Sequence, residues 1–305
     1  MKKFVLSCLV LFVFLTVAAS AEDTYIKIED FSNDTVAFSI NSATAYDEAI
    51  VLVSGYAESG QFVGSVTQTA SIPVGTYFSS ANLPKNAAEF QVMLLDSETY
   101  APLCECGKIC SVVFTDKDGN ILAEQKVYSG NAALPPEAPA VANSIFVNWD
   151  ADFTHIIGDT VISPVYTEEN AENLFTVSSC SVDLDEEVKV RISLGGTVNL
   201  SAYDMRLQYD ADVLEFVSLD TEFSMDVVAN HVASGGYIRF NYSSRTNRTR
   251  AGDILEVTFR IKEGVPAQGT AVRLSPIQVV FVDTASGNIP APCAFTVTEG
   301  VIRIS

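Results

Sequence analysis

The sequence is poor in basic residues, in histidine and in tryptophan. Its 305 residues include 18 Lys and Arg against 38 Asp and Glu, for a formal net charge of −20, and contain two His and one Trp. Because binding to nucleic acid requires clustered cations, this balance argues against a nucleic-acid partner. It argues equally against an anionic membrane surface. The excess of acid is best explained as a feature that keeps the chain soluble outside the cell.

Common catalytic motifs are also missing. The chain has no G-x-S-x-G, no H-E-x-x-H and no Gly-rich phosphate loop. His155 and His231 lie in ordinary polar sequence and are predicted to be surface histidines. The loop D-K-D-G-N at 116–120 begins like a calcium loop but lacks its closing Glu. We therefore predict that the protein is not an enzyme and that it has no cofactor and no metal site.

Five cysteines lie beyond the N-terminal segment. Cys104, Cys106 and Cys110 form C-E-C-G-K-I-C, which has no fourth ligand nearby for a structural zinc ion, so one local disulfide is favoured over a metal. Cys180 and Cys293 fall near the first and last strands of the C-terminal region. If those strands are neighbours, the two thiols are either bridged by a disulfide or simply buried, and both alternatives stay open.

The N-terminus has the pattern of an export signal. Two lysines precede the apolar run 4–17, and A-S-A at 19–21 supplies the small residues of a cleavage site. The run is shorter than the roughly 20 residues that a membrane-spanning helix needs. We predict a signal peptide over 1–21, no membrane span after its cleavage, and a secreted protein that is either free or associated with the cell surface.

Short alternating runs separated by turn signals predict an all-β protein. Residues 22–107 are predicted to form a β-sandwich-like module, with a hairpin through Tyr56, Gly60 and Val63. This hairpin and the later L-L-D-S-E-T-Y-A-P-L resemble a small β-sandwich module of exported proteins from anaerobic bacteria. The resemblance implies no activity.

The next segment, 108–167, contains V-x-F-x-D-x-D-G at 112–119 and W-D-x-D-F at 149–153. Asp118-Gly119 is a tight-turn signal, because Gly tolerates the positive φ of such turns. These motifs resemble the Listeria–Bacteroides repeat, or internalin B-repeat. The resemblance implies a small β-grasp-like unit that acts as a spacer or a weak adhesion module. Residues 168–173 are predicted to be a polar linker.

From 174 to 305 the alternation becomes regular. E-V-K-V-R-I-S-L at 187–194 places four apolar residues on one face, and the runs at 203–209, 238–242 and 255–261 repeat the pattern. Eight or nine strands in this length predict a two-sheet sandwich with jelly-roll connections.

This last region resembles a cohesin domain. The resemblance rests on V-x-V-x-I at 188–192, Y-D-x-x-V-L-E-F at 209–216, G-x-I-x-F at 236–240, G-D-I-L-E-V-T-F-R-I-K at 252–262 and the closing G-V-I-R-I at 300–304. It implies binding of a dockerin-bearing protein within a polysaccharide-degrading assembly, by a monomeric domain.

In that family, one sheet face receives the dockerin. Carried over to this sequence, where Ala202 replaces a frequent Asn, the resemblance implies a candidate face of Asp204, Arg206, Gln208, Arg239, Asn241, Glu256 and Thr258. A direct glycan partner is the alternative, with Tyr237 as a stacking platform, since alternation places Tyr203 and Tyr242 in the core. A second alternative is a surface adhesion or structural protein that has no dockerin partner.

Two aspartates in L-Q-Y-D-A-D-V-L-E-F, at 207–216, raise the question of a metal or acid–base pair. Their position after an alternating strand favours a structural role. Asp210 is predicted to cap the turn that follows the strand by accepting backbone N–H bonds. Asp212 is predicted to be solvated, whereas Val213 and Leu214 return to the core.

Overall fold

The computed structural model describes residues 24–32, 34–184, 186–221, 227–283, 285 and 289–305. The predicted signal peptide lies outside these ranges. Within them the chain forms β-strands and one 3-10 turn at Ala233–Gly235, and its sheets do not close into a barrel. The all-β prediction is confirmed. No helix in the described ranges is long and apolar enough to cross a membrane.

The N-terminal segment is a sandwich of two sheets. Its strands are β1 (Tyr25–Ser32), β2 (Thr35–Ser42), β3 (Tyr46–Tyr56), β4 (Phe62–Ile72), β5 (Gly75–Asn82) and β6 (Glu89–Asp96). The order β1-β2-β5 makes one sheet, and β3 pairs with both β4 and β6 in the other. Fully buried residues from both sheets, among them Phe38 and Val51, form one core. The predicted hairpin is present as β3–β4.

The middle segment contributes β7 (Gly107–Thr115), β8 (Ile121–Tyr128), β9 (Ser144–Trp149), β10 (Thr160–Ile162) and β11 (Pro164–Glu168). The predicted boundary after residue 107 falls within β7. This strand pairs with β6 at two positions, with the parallel β10 at three positions and with β8 from Ile109 to Thr115. The turn at Asp118-Gly119 forms, with Gly119 at φ 85°. Trp149 is buried against Phe114 and Phe146, at ring-centroid distances of 5.1 and 5.5 Å.

The C-terminal region is a second sandwich, with twelve strands among its described residues instead of the eight or nine predicted. They are β12 (Leu174–Val177), β13 (Cys180–Val182), β14 (Glu187–Gly195), β15 (Leu200–Gln208), β16 (Leu214–Asp220), β17 (Val228–Val232), β18 (Tyr237–Arg248), β19 (Gly252–Ile261), β20 (Gln268–Asp283), β21 (Ile289–Pro292), β22 (Thr296–Val297) and β23 (Gly300–Ile304).

These strands form two sheets. One has the order β16-β19-β14-β12-β22, and the seven-stranded sheet has the order β13-β23-β20-β15-β18-β17, with β21 paired to β20. The inner faces of both sheets enclose one core, and the alternation predicted it correctly: Val190, Met205, Phe240 and Phe259 are all fully buried. The predicted two-sheet sandwich is therefore confirmed.

The predicted disulfides are absent, since every cysteine in the described ranges is a free thiol. Cys104 packs against the N-terminal core, whereas Cys110 is buried in the cluster around Trp149. Burial raises the pKa of Cys104 to about 12 and that of Cys110 to about 11, so both are neutral thiols at neutral pH. Nor do the described residues contain a group of acidic, His and Cys side chains able to hold a metal ion.

Cys180 and Cys293 lie at opposite ends of β12. The Cys293 thiol accepts a weak hydrogen bond from Asn173, just before β12 begins, while Cys180 starts β13 after β12 has ended. Four strand residues at about 3.3 Å each span roughly 13 Å. A disulfide needs its Cα atoms within about 7 Å, so the proposed Cys180–Cys293 bridge is wrong for this structure.

The histidines are also not simply on the surface. The His231 ring is half-buried, stacks on Phe216 at 3.9 Å between centroids and bonds the Tyr209 hydroxyl through Nε2 at 2.8 Å. The His155 ring contacts Tyr25 edge-on at 4.4 Å. Desolvation lowers the pKa of both imidazoles, which are neutral packing groups near pH 7.

Candidate functional site

The structure divides the predicted site residues between two sheets. Those on the adjacent strands β15 and β18 share the outer face of the seven-stranded sheet: Asp204, Arg206, Gln208, Arg239 and Asn241. Glu256 and Thr258 lie on β19, which is between β16 and β14 in the opposite sheet. Their assignment to the same face is wrong, because the chain crosses from one sheet to the other between β18 and β19.

Strand register arranges the shared face in rows. Asp204 lies opposite Asn241, and Arg206 lies opposite Arg239. The edge strand β17 extends these rows with Val228 and Asn230, and β20 extends them on the other side with Gln278 and Ser275. We call the outer surface of β17, β18, β15 and residues 275–278 the open face. Sequence reasoning found the β15 and β18 residues but missed those of β17 and β20, although the alternation of β20 was visible.

A bidentate ion pair lies at the middle of the open face. Arg239 donates from Nε to Asp204 Oδ1 at 3.0 Å and from Nη2 to Oδ2 at 2.5 Å. The Arg239 hydrogen bonds hold the pKa of the Asp204 carboxyl below its usual value, so Asp204 is ionised at neutral pH. Since half of the Arg239 side chain is exposed, the ion pair leaves guanidinium surface open to a partner.

Arg206 has a different neighbour. Its guanidinium carbon lies 5.0 Å from the centre of the Tyr237 ring, a cation–π distance. Two arginines directly opposite each other in a sheet repel. Here Asp204 pairs with Arg239, and the Tyr237 ring contacts Arg206. These two contacts offset the repulsion between the arginines. Arg206 is exposed, and its guanidinium carries five N–H donors.

Amides and two aliphatic side chains complete the open face. Ser275 donates to Gln208 Oε1 at 2.7 Å, while the exposed amides of Asn230 and Asn241 make no hydrogen bond to the part of the chain that the structure describes. Val228 is 67% exposed at one margin. Ile277 is 48% exposed at the other, where a register shift between β15 and β20 adds one residue. The open face thus combines polar groups at its middle with apolar side chains at its margins.

The outer face of the opposite sheet has its charges paired. Glu256 accepts from Lys189 at 2.8 Å and from Arg191 at 2.7 Å, and these bonds lower the pKa of its carboxyl. Arg260 likewise pairs with Glu187 at 2.6 Å and with Glu215 at 3.5 Å. Glu256 is therefore committed to contacts within its own sheet.

The aromatic platform considered for glycan stacking is limited. Tyr203 is buried, and its pKa is raised by desolvation. Tyr242 stacks on it at 5.7 Å between ring centres, in agreement with the prediction that both belong to the core. Tyr237 is on the open face, but its ring is covered by Arg206.

The aspartate pair after β15 is structural. Asp210 Oδ1 accepts the backbone N–H of Asp212 at 2.8 Å, and the Asp210 carbonyl accepts that of Leu214 at 2.8 Å. Val213 and Leu214 are buried, whereas Asp212 is exposed. The predictions of a cap, a solvated carboxylate and a return to the core are all confirmed.

The class defined by this fold is a mainly antiparallel two-sheet sandwich with one exposed polar sheet face. Residues 174–302 match the model of the family described as cohesin domain. Cohesin domains are non-catalytic protein-binding modules, which bind dockerins in cellulosomes. No curated protein matches this chain.

Solved cohesin structures are similar to this part of the chain. The seventh ScaB type I cohesin of Pseudobacteroides cellulosolvens is 16% identical and covers 44% of this chain and 94% of its own, with a TM-score of 0.39. A non-cellulosomal cohesin of the archaeon Archaeoglobus fulgidus is 17% identical, covering 44% and 92%, with a TM-score of 0.37. The cohesin–dockerin complex Coh-OlpC-Doc435 from Clostridium thermocellum is 15% identical and covers 46% of this chain and 97% of its own, with a TM-score of 0.38.

Proposed function

We propose that residues 174–305 are a non-catalytic docking domain that binds a dockerin-type protein partner through the open face. The observation that carries the proposal is the open face itself, within a region that matches the cohesin family. It presents Arg206, Asn230 and Asn241 as exposed hydrogen-bond groups. Interfaces of this kind gain specificity when a partner supplies the complementary acceptors.

The charge of the open face indicates the chemistry of the partner. The face carries Arg206 and Arg239 against one carboxylate, Asp204, in a protein whose net charge is −20. A local excess of cations on an acidic molecule favours a partner whose contact surface presents carboxylates or other acceptors. We therefore infer that the docked surface includes at least one acidic side chain placed over Arg206.

The rest of the chain is given a supporting role in this proposal. The signal pattern at 1–21 indicates export, and the segments 22–107 and 108–167 would serve as spacer or weak adhesion modules. The resemblance of residues 108–167 to the internalin B-repeat supports this role. The whole would be a secreted or cell-surface component of a polysaccharide-degrading assembly.

Binding of the chain, without residues 1–21, to a panel of purified dockerin modules tests the proposal by calorimetry. We expect at least one dockerin to bind, and Arg206→Glu to weaken that binding at least tenfold, which equals about 1.4 kcal/mol. Lys262→Glu is the matched control, because Lys262 is exposed at the end of β19 in the opposite sheet. It should leave the affinity unchanged.

Two outcomes would contradict the proposal. If Arg206→Glu and Lys262→Glu have equal affinities, the docking surface lies elsewhere. If the panel contains no binder while a glycan array retains the protein, direct carbohydrate binding replaces docking. Absence of both kinds of ligand would favour the alternative of an adhesion or structural protein without a dockerin partner.

A further inference from the structure

The outer face of the seven-stranded sheet is open over β17, β18 and β15 but covered over β20 and β23. Ala271 on β20 and Val301 on β23 point away from the core of the sandwich, yet both are buried. They belong instead to the apolar cluster of the middle segment, together with Trp149 and Phe153. The middle segment therefore occupies half of the sheet whose other half is the open face.

Backbone hydrogen bonds fix this contact. Gly269 on β20 donates to the Ala133 carbonyl at 2.9 Å, and Glu299 donates its backbone N–H to the Val147 carbonyl at 2.7 Å. The Arg303 guanidinium donates to the carbonyls of Pro135 and Pro136, at 3.1 Å each. The bonds to Ala133, Pro135 and Pro136 satisfy carbonyls of an irregular proline-rich segment that forms no ladder of its own, whereas the bond to Val147 goes to β9.

The fit at Gly269 is too close for any side chain. A Cβ atom at this position would lie 2.3 Å from Pro135 Cδ and 2.9 Å from both the Ala133 carbonyl oxygen and Phe153 Cε2. Only glycine allows the two segments to approach this closely. The contact is packed like a protein interior rather than like two modules joined by a flexible linker.

An ion triad marks the border between the covered and the open halves. Arg273 binds Glu299 at 2.6 Å and Asp152 of the middle segment at 3.5 Å. In the sheet register, Arg273 lies opposite Gln208 of the open face. A partner seated on the open face would thus meet Asp152 and its neighbours as a fixed edge.

We propose that residues 131–153 stay permanently packed on the outer face of β20 and β23. The middle segment and the sandwich then unfold as one cooperative unit, and the middle segment forms a rigid wall along the open face. The unit of folding extends N-terminal to residue 174, where the family match begins. This inference does not depend on the identity of the partner.

The sole tryptophan offers a direct test, because Trp149 lies within the shared cluster. Thermal unfolding of the full chain should give the same midpoint by Trp149 fluorescence and by hydrogen exchange of peptides from β14 and β15. In Gly269→Ala the fluorescence midpoint should fall below the exchange midpoint by several degrees. Gly158→Ala is the matched control, because a Cβ there meets no atom within 4 Å, and it should keep the midpoints together.

The proposal would be overturned if the wild-type midpoints already differ, or if Gly269→Ala behaves like Gly158→Ala. Should Gly269→Ala fail to fold, Arg303→Gln provides a milder variant, since it removes the guanidinium bonds to Pro135 and Pro136 without adding an atom to the contact. Arg303→Gln should separate the two midpoints in the same direction. Coincident midpoints in that variant would also reject the proposal.

Discussion

The two sheets of the C-terminal sandwich share one core but have different outer faces. On the sheet of β14, β16 and β19, Glu256 binds two cations and Arg260 binds two carboxylates. On the open face, Asp204 forms an ion pair with Arg239, while Arg206 lies over the Tyr237 ring. The charges of the sheet of β14, β16 and β19 form ion pairs with neighbouring strands of the same sheet. The open face instead has exposed hydrogen-bonding side chains.

The difference separates two uses of the same strand pattern. Charges that are paired within a sheet gain little from a partner, because binding would have to replace contacts already made. Exposed amides and guanidinium groups that face water can exchange that water for a partner's acceptors. The comparison therefore supports the proposal that the open face is the docking surface, because the charges of the opposite face are already paired within their own sheet.

The largest expected effect concerns the inner faces, where the two sheets should not differ. Phe240 on β18 and Phe259 on β19 are both fully buried in the shared core. Phe240→Ala and Phe259→Ala should each lower the free energy of unfolding by about 3–5 kcal/mol, measured by denaturant titration. If one substitution hardly changes the free energy of unfolding while the other unfolds the protein, the two phenylalanines do not belong to one shared core.

A smaller effect is expected for the outer face of the opposite sheet, formed by β14, β16 and β19, which we call the closed face. Glu256→Gln removes the acceptor of Lys189 and Arg191 and should lower the free energy of unfolding at pH 7 by on the order of 1 kcal/mol. The folded-state pKa of Glu256 is lowered from 4.5, so its contribution is present above the unfolded pKa and is lost as the pH falls through the folded pKa.

Denaturant titrations between pH 7 and pH 3 measure this effect. The difference between wild type and Glu256→Gln should shrink as the medium becomes more acid. Asp212→Asn serves as the control, since Asp212 is exposed in a turn and its substitution should leave the free energy of unfolding at pH 7 unchanged. A difference for Glu256→Gln that persists at pH 3 would show that the ion pairs are not its cause.

Alternation in the sequence predicted which residues of a strand are buried, because burial against one core imposes a period of two. It could not assign each strand to a sheet. The pattern of G-D-I-L-E-V-T-F at 252–259 is the same whichever sheet receives it, so Glu256 and Thr258 were placed on the wrong face. The sheet order that corrects this depends on pairing between distant segments, such as β14 with β19.

Contacts between segments were equally invisible to the sequence. Cysteine positions near the first and last strands suggested a disulfide, but the ends of β12 keep Cys180 and Cys293 apart. Nothing in the local sequence pattern indicates that the outward side of Gly269 lies against Pro135 and Phe153, or that Val301 is buried in the cluster around Trp149. Such contacts follow from the tertiary arrangement, which local periodicity does not encode.

The smallest expected effect on stability gives the sharpest comparison of the two outer faces. Asn241 on the open face and Thr258 on the closed face are both polar strand residues, and both were candidates from the sequence. Because neither is part of a core, Asn241→Ala and Thr258→Ala should each change the free energy of unfolding by no more than about 0.5 kcal/mol.

The effects of these two substitutions on dockerin binding should differ. Asn241→Ala should weaken the affinity for the dockerin that the panel identifies, because Asn241 lies beside Asp204 in the central row, whereas Thr258→Ala should not. Calorimetric titration of both variants decides the matter, and equal losses of affinity would mean that docking does not distinguish the two faces.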